Sequence, residues 1–164
     1  MEKLQNILVP TDFSSNSVNA LEYAGNLTKA TKSIIHVLHC VEPISAANNS
    51  IEEQTIIHEG LIRLEKQMKI FIRNLHDVEN EIIEVIRTGK AYEQILNYAR
   101  DAEIDLIVLA ANGWSGSQDL ILGTVAEKVT RYSKIPVIII KNNDLAASPG
   151  HRTVNSTLAE NWVG

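Results

Sequence analysis

The sequence predicts an α/β fold, an open parallel sheet of five strands with helices on both faces. Short runs of β-branched and aliphatic residues recur along the chain, and apolar residues with helical three- and four-residue spacing fill the segments between most of them. Residues 104–110 are apolar apart from Asp105 and show almost no alternation, which is typical of a strand covered on both faces. Strands that alternate with helices in this way form parallel sheets with right-handed crossovers.

The first half of the chain is predicted to contain two strands and two helices. Residues 7–9 form the first strand, which Pro10 closes, and residues 34–41 form the second. A helix over residues 14–30 separates them, and a serine at its start can cap it by accepting from first-turn amides. The clearest helix follows, because its apolar residues alternate spacings of four and three with charged residues opposite. These residues are Ile57, Leu61, Leu64, Met68, Phe71 and Leu75.

The second half is predicted to contain three strands and two shorter helices. The strands cover residues 82–86, 104–110 and 136–140, and the helices cover residues 90–102 and 123–132. After residue 143 the sequence turns polar and loses its periodicity. We therefore expect one domain over residues 1–143 and a flexible tail over residues 144–164 that is dispensable for folding.

Composition and charge limit the classes of function. The chain has 164 residues, of which 45% are hydrophobic and 21% charged, as in ordinary globular proteins and unlike disordered chains. The formal net charge is −5 and no cluster of Lys or Arg is visible, so we expect neither nucleic-acid nor membrane binding. The single cysteine, Cys40, excludes an intramolecular disulfide. No apolar run approaches the length of a membrane span or resembles a signal peptide, so we expect a cytoplasmic protein.

Two loops at predicted strand ends are unusual in composition. One covers residues 10–14 after the first strand, and the other covers residues 110–116 after the fourth and continues to a helix start at Gly123 and Thr124. In parallel sheets, ligands bind at the carboxyl ends of strands, where the strand order reverses. Glycines let backbone amides approach an anion, and the first turn of a helix offers unpaired amides to negative charge. The second loop is therefore a candidate phosphate site.

The spacing within the second loop resembles that of the universal stress protein family. Gly113 is followed by nine residues and then by Gly123 and Thr124. The ATP-binding members of that family carry Gly-x-x-Gly-x9-Gly-(Ser/Thr) at this place. Residues 9–14, with the sequence Val-Pro-Thr-Asp-Phe-Ser, are similar to the family's first strand and loop. The resemblance covers residues 4–141 and implies the strand order 3-2-1-4-5, which brings strands one and four together.

The resemblance also implies a Rossmann-like pocket for an adenine nucleotide, ATP or AMP, with or without Mg²⁺ or Mn²⁺. Pro10, Thr11 and Asp12 would line its adenosine end, with Asp12 near the ribose or the base. By the same resemblance, Val41 would contact the adenine. The residues that would surround the phosphates are Ala110, Gly113, Ser115, Gly116, Gly123 and Thr124.

The chain departs from the family pattern at two positions of the second loop. Ala110 replaces the first glycine of the motif, and Trp114 stands where family members often have a basic residue. Residues 110–124 contain no Lys or Arg, so phosphate binding would depend on backbone amides, hydroxyls and a divalent metal. This composition weakens the case for ATP and leaves an adenosine-like or AMP-like ligand reasonable.

The leading hypothesis is therefore a nucleotide-binding stress-response or regulatory protein with, at most, slow hydrolysis. The chain has no P-loop motif and no serine elbow, so we predict no catalytic residues. His36 and His39 are three apart on a strand and face opposite sides, so we predict no metal site for them. Two alternatives remain open, a scaffold of the same fold that binds no nucleotide and an adenine-nucleotide hydrolase. Asp12 could also serve only a turn or a cap, and the glycines only turn geometry.

The last predicted strand would lie at an edge of the sheet in the implied order. An uninterrupted run of Val and Ile with free amides pairs with other strands unless something covers it. Antiparallel pairing with the same strand of a second chain satisfies both edges about a two-fold axis. Similar proteins dimerise in this way, so we expect a homodimer through Val137–Ile140. The sequence identifies no other protein partner.

Overall fold

The computed structural model describes residues 4–43, 51–75, 81–112 and 122–141, without the side chains of residues 51–53. Within these ranges the strands are β1 (Asn6–Thr11), β2 (Ile34–Val41), β3 (Ile82–Thr88), β4 (Leu106–Ala110) and β5 (Val137–Ile140). The helices are α1 (Ser15–Thr31), α2 (Ile51–Ile72), α3 (Ala91–Asp101) and α4 (Thr124–Tyr132). None of these helices is both long and apolar enough to cross a bilayer. The predicted tail, residues 144–164, lies outside the described residues, so the domain boundary at residue 143 stays a prediction.

The strands form one parallel sheet in the order β3-β2-β1-β4-β5, which confirms the predicted fold class and strand order. β1 pairs with β2 over its whole length, from Asn6 opposite Ile34 to Thr11 opposite His39, and with β4 on its other edge. β2 and β3 therefore lie on one side of β1, and β4 and β5 lie on the other, so the strand order reverses between β1 and β4. The carboxyl ends of β1 and β4 border the crevice where sheets of this topology bind ligands.

Each face of the sheet packs against one pair of helices. Ile7 and Val9 of β1 belong to the core formed with α1 and α2, and Leu8 belongs to the core formed with α3 and α4. All three side chains are fully buried, and each burial stabilises the fold by about 1.5–3 kcal/mol. β4 is buried along its whole length, as its unbroken apolar sequence predicts.

β4 begins at Leu106, two residues later than the apolar pattern predicts. The carboxylate of the preceding Asp105 accepts hydrogen bonds from the backbone N–H groups of Gln5 and Asn6, at 2.8 and 2.9 Å. The Asp105 side chain therefore holds the residue before β4 against the start of β1. Such a contact joins residues about a hundred positions apart, and hydrophobic periodicity carries no information about it.

His36 of β2 is buried beside α3, with 5% of its surface exposed. Its Nε2 donates to Asn6 Oδ1 at 3.3 Å, because an amide oxygen only accepts, and its Nδ1 then accepts from the Tyr98 hydroxyl at 2.8 Å. The Arg87 guanidinium lies 5.2 Å from the centre of the Tyr98 ring. Burial lowers the pKa of His36 below its ordinary value, and the Glu81 carboxylate opposes part of that shift. The fold therefore favours the neutral ring.

The buried His36 ring predicts a loss of stability as the pH falls. Its pKa in the folded chain lies below the unfolded value of about 6.5, so the unfolded chain takes up this proton first. The stabilisation is complete above about pH 6.5 and is lost below it, with a slope of at most about 1.4 kcal/mol per pH unit. Urea unfolding of His36→Gln should lack this slope, whereas His58→Gln, which changes an exposed histidine, should keep it. Equal slopes in the two variants would contradict the assignment.

Candidate functional site

A cleft of about 430 Å³ opens at the carboxyl ends of β1 and β4. Its walls are the loop after β1, the ends of β2 and β4, and the first turns of α3 and α4. The volume lies within the roughly 300–1,000 Å³ typical of small-molecule sites, which also combine an apolar lining with a few polar groups. Besides the Cys40 thiol, the polar side chains here are Thr11, Asp12, Ser17, His39, Asn112 and Thr124.

The structure brings residues from both predicted loops together at this cleft. The predicted site residues that line it are Pro10, Thr11, Asp12, Ala110 and Thr124. Gly123 directly precedes Thr124 at the start of α4. The remaining residues of the second loop, Gly113, Ser115 and Gly116, lie outside the described residues.

The end of β2 contributes Cys40 to the cleft, and Val41 is not among the residues that line it, so the contact between Val41 and the base stays a prediction. Side chains alternate between the two faces of a strand, and Leu38 and Cys40 share the face that packs with α3 and α4. Val41 belongs to the other face, and its carbonyl accepts from the Gly89 N–H at 2.9 Å. Counting in steps of two from Leu38 would have identified Cys40 from the sequence.

Asp12 holds the start of α1 and lines the cleft at the same time. Its Oδ1 accepts hydrogen bonds from the Ser14 N–H at 3.0 Å and from the Ser14 hydroxyl at 2.6 Å. The Ser14 hydroxyl oxygen accepts in turn from the Ser17 N–H at 3.3 Å and so caps α1. The turn role considered for Asp12 is therefore present, and it fixes a negative charge at the wall of the cleft.

Phe13 adopts a left-handed backbone with φ of 64°, which is unusual for an aromatic residue. Its ring stacks on His39, with 4.3 Å between ring centroids, and meets Phe71 edge-on at 5.8 Å. The Phe13 N–H donates to Thr11 Oγ1 at 2.9 Å, and His39 Nδ1 donates to the Thr11 carbonyl at 2.8 Å. These contacts hold a strained turn that carries the first loop into the cleft. Sequence reasoning missed both rings as loop anchors, because the contact between them is tertiary.

Gly123 brings the start of α4 close to the end of β4. Its N–H donates to the Ala111 carbonyl at 2.8 Å, and its own carbonyl accepts from the Glu127 N–H at 2.9 Å. A Cβ at this position would lie 3.3 Å from the Ala111 oxygen and 3.6 Å from Asn112 Oδ1. Because φ is −61°, the close approach of the two chain segments favours glycine here, and no left-handed backbone is involved.

The N-termini of two helices reach the cleft. Ala91 begins α3 and Thr124 begins α4, and both residues line the cleft. Lys90 and Gly123 occupy the N-cap positions, and neither gives a side-chain hydrogen bond to the first turn. The first-turn amides lack that partner, and the helix dipoles add partial positive charge at both ends. This arrangement favours the binding of an anion.

Backbone groups, rather than basic side chains, supply the attraction for an anion. The described lining contains the carboxylate of Asp12 and no Lys or Arg. Burial raises the pKa of the Cys40 thiol to about 11, although Arg87 acts in the opposite direction, so the thiol stays protonated at neutral pH. In the part of the chain that the structure describes, no three His, Cys, Asp or Glu side chains are grouped as metal ligands. The role of Mg²⁺ or Mn²⁺ thus stays a prediction.

The family model of the universal stress proteins matches residues 3–141. The chain belongs to the universal stress protein family. The resemblance drawn from the glycine spacing and from the first loop is therefore confirmed, and the match covers every strand and helix of the described structure.

Relatives and solved structures of this family match most of the chain. The universal stress protein MJ0577 of Methanocaldococcus jannaschii is 24% identical over 154 residues, which cover 84% of this chain and 95% of that protein. The solved structure of MJ0577 matches with a TM-score of 0.75 at 25% identity, over 87% of this chain and 99% of that one. A universal stress protein solved in complex with cAMP matches with a TM-score of 0.67 at 23% identity, over 85% of this chain and 98% of that one. The Archaeoglobus fulgidus universal stress protein solved in complex with dAMP matches with a TM-score of 0.64 at 17% identity, over 85% of this chain and 100% of that one.

Proposed function

We propose that this universal stress protein binds an adenine nucleotide in the cleft between β1 and β4 and acts as a stress-response or regulatory protein rather than as an enzyme. The observation that carries the proposal is the meeting of two helix N-termini without side-chain caps at the point where the strand order reverses. A phosphate at this point would receive backbone N–H donors and the favourable ends of two helix dipoles.

The two walls of the cleft suggest how the nucleotide lies. The phosphate end belongs at α4, where Thr124 adds a hydroxyl to the first-turn amides and where Gly113, Ser115 and Gly116 follow β4 in the sequence. The adenosine end belongs at the wall of Pro10, Thr11 and Asp12, whose carboxylate can accept from ribose hydroxyls. Family members solved with cAMP and with dAMP support adenosine monophosphates as the class of ligand.

The charge of the cleft predicts that AMP binds about as tightly as ATP. The two further phosphates of ATP add negative charge, and the described lining offers one carboxylate and no basic side chain to meet it. We expect the dissociation constants for AMP and ATP to agree within about tenfold, or about 1.4 kcal/mol. Titration calorimetry with and without Mg²⁺ measures both constants. A much larger preference for ATP that requires Mg²⁺ would indicate a metal-bound triphosphate instead.

The competing function is a scaffold of the same fold that binds no nucleotide. It is favoured by Ala110 in place of the family glycine and by the lack of Lys or Arg in residues 110–124. Heat release of small molecules from the purified protein, followed by chromatography, separates the two functions. Stoichiometric adenine nucleotide supports the binding function, whereas a protein that neither carries nor takes up AMP or ATP supports the scaffold. Rapid product formation from added ATP would support the hydrolase.

We further propose a homodimer formed through β5, the last strand of the sheet in the described part of the chain. The carbonyls of Pro136 and Ile140 accept hydrogen bonds from the N–H groups of Ile107 in β4 and of Ala111, which directly follows β4, at 3.0 and 2.8 Å. Amide groups alternate in direction along a strand, so the N–H and C=O groups of Val137 and Ile139 point to the outer edge. Antiparallel pairing of two such edges about a two-fold axis would satisfy these groups in both copies.

A further inference from the structure

The turn after β1 has a backbone conformation that its residue does not favour. Phe13 adopts φ of 64°, in the left-handed region, where the Cβ of an L-residue comes too close to the following carbonyl oxygen. This clash lowers the population of the conformation by roughly 5- to 30-fold. Glycine has no Cβ and adopts the same conformation without the clash. The turn therefore depends on contacts that hold Phe13 in place.

Two rings enclose the Phe13 side chain. His39 of β2 stacks on it at 4.3 Å between ring centroids, with 27° between the ring planes. Phe71 of α2 meets it edge-on at 5.8 Å and is itself only 4% exposed. Both arrangements are favourable for aromatic pairs. The Phe13 ring is therefore fixed between the sheet and α2.

His39 also holds the peptide group that precedes Asp12. A carbonyl oxygen only accepts, so His39 Nδ1 carries the hydrogen in its 2.8 Å contact with the Thr11 carbonyl. The Thr11 hydroxyl accepts from the Phe13 N–H at 2.9 Å and forms a hydrogen bond of 2.9 Å with the Ser17 hydroxyl. Thr11 and Phe13 flank Asp12 in the chain. His39 thus contacts both neighbours of Asp12, one through its carbonyl and the other through its ring.

The contacts of His39 and the strain at Phe13 are of similar size. A ring pair and a hydrogen bond each favour the turn by roughly 2- to 10-fold. Together they offset the roughly 5- to 30-fold cost of the left-handed backbone. Without His39 the turn would relax toward negative φ, and the Asp12 carboxylate at the wall of the cleft would move with it.

We infer that His39 is a positioning residue for ligand binding, which holds Asp12 at the wall of the cleft through the Thr11 carbonyl and the Phe13 ring. The inference rests on the proposed function, because it concerns the affinity of the same cleft for AMP. A loop that already has its binding conformation loses no affinity to ordering. His39 therefore raises the affinity through its neighbours, and neither ring nitrogen needs to contact the ligand.

Variants of His39 separate its two contacts. His39→Ala removes both, and the Kd for AMP in titration calorimetry should rise about tenfold, in proportion to the fall in the population of the turn. His39→Phe keeps a ring that can stack, and His39→Asn keeps an amide donor near the position of Nδ1. Each of these two variants should lose roughly threefold in affinity, because one of the two contacts remains.

Relief of the strain should restore the binding that is lost with His39. Because glycine adopts positive φ freely, Phe13→Gly alone should change the AMP affinity by no more than about threefold. The chain with both Phe13→Gly and His39→Ala should bind AMP within about threefold of Phe13→Gly alone. A direct contact between His39 and the nucleotide predicts the opposite, since the full loss from His39→Ala would persist in the double variant. That result would overturn the inference.

His36→Ala controls for a general loss of stability. His36 lies on the same strand, and its ring also forms hydrogen bonds to distant segments. This variant should melt at a lower temperature than the wild type and keep the AMP affinity within about threefold, because His36 contacts α3 and β1 and not the turn after β1. Equal losses of affinity in His36→Ala and His39→Ala would also overturn the inference.

NMR of the full chain without nucleotide separates this inference from the proposed function. Positive φ at residue 13 brings its Hα close to its own amide hydrogen, and a strong Overhauser effect between them reports that geometry. We expect this signal in the wild type and its loss in His39→Ala. A wild type that shows the signal and binds no AMP would contradict the proposed function, whereas a His39→Ala chain that keeps the signal, or binds AMP as tightly as the wild type, would overturn the role of His39. If His39→Ala does not fold, the same two measurements on His39→Asn, which lacks only the stacked ring, decide the question.

Discussion

Thr124→Glu should remove most of the nucleotide affinity and leave the fold as stable as the wild type or slightly more stable. Thr124 is exposed, begins α4 and lines the cleft, so its side chain faces the proposed phosphate and not the core. A carboxylate about 4 Å from a phosphate repels it by about 1–4 kcal/mol, which is roughly a 5- to 1,000-fold loss of affinity. The same carboxylate stabilises the first turn of the helix by about 0.3–1 kcal/mol. A loss of nucleotide affinity without a loss of stability distinguishes a binding role of Thr124 from a structural one.

Thr124→Gln is the matched control, because glutamine has the size of glutamate without its charge. It should keep AMP affinity within about tenfold of the wild type. Calorimetry with AMP gives the affinity, and thermal unfolding without ligand gives the stability. Undiminished affinity in Thr124→Glu, or a fall in affinity matched by a fall in stability, would contradict a phosphate at the start of α4.

Ile139→Pro should convert the proposed β5 dimer into a monomer at micromolar concentration. The Ile139 N–H points to the outer edge of β5, as the carbonyl contacts of its neighbours to β4 indicate. Proline removes this donor and puts a ring where the second strand would approach. Light scattering after size exclusion measures the mass.

Ile138→Pro is the control for damage to the sheet itself. The Ile138 amide points toward β4, so proline there removes a hydrogen bond within the ladder and should lower the free energy of unfolding by about 1–3 kcal/mol. Ile139→Pro should lower it less. A wild type that is monomeric at micromolar concentration would show that β5 does not pair, and a dimeric Ile139→Pro chain would show that another surface forms the dimer.

The fold was accessible from the sequence because its elements have simple patterns. β4 is an unbroken apolar run, and the helices show their periodicity even where, as in α2, part of the stripe is exposed. The strand order came from the family resemblance, because buried strands such as β1 and β4 look alike in sequence and periodicity does not say which are neighbours. The apolar pattern of α2 likewise does not show where along the helix the contact with the core ends. In the structure this limit falls between the exposed Leu61 and the buried Met68.

The cleft could be predicted in part. Asp12 and Thr124 were found because strand-end loops and helix starts have recognisable chemistry. Cys40 is a further lining residue that was not predicted, although the alternation of side chains along β2 places it on the same face as Leu38, and the role of Val41 stays a prediction. The stacking of Phe13 on His39 and the arrival of Ala91 at the same cleft are contacts between distant segments, and no local pattern encodes them.

The most direct test of the proposed function is an NMR titration of the full chain with AMP, read at backbone amides. Asp12, Ala91 and Thr124 belong to separate segments that meet at the cleft. We expect their three amide signals to shift together and to saturate with one dissociation constant, while the amide of Ile57 on α2 keeps its position. The absence of saturable shifts, or shifts confined to residues away from the cleft, would contradict nucleotide binding between β1 and β4.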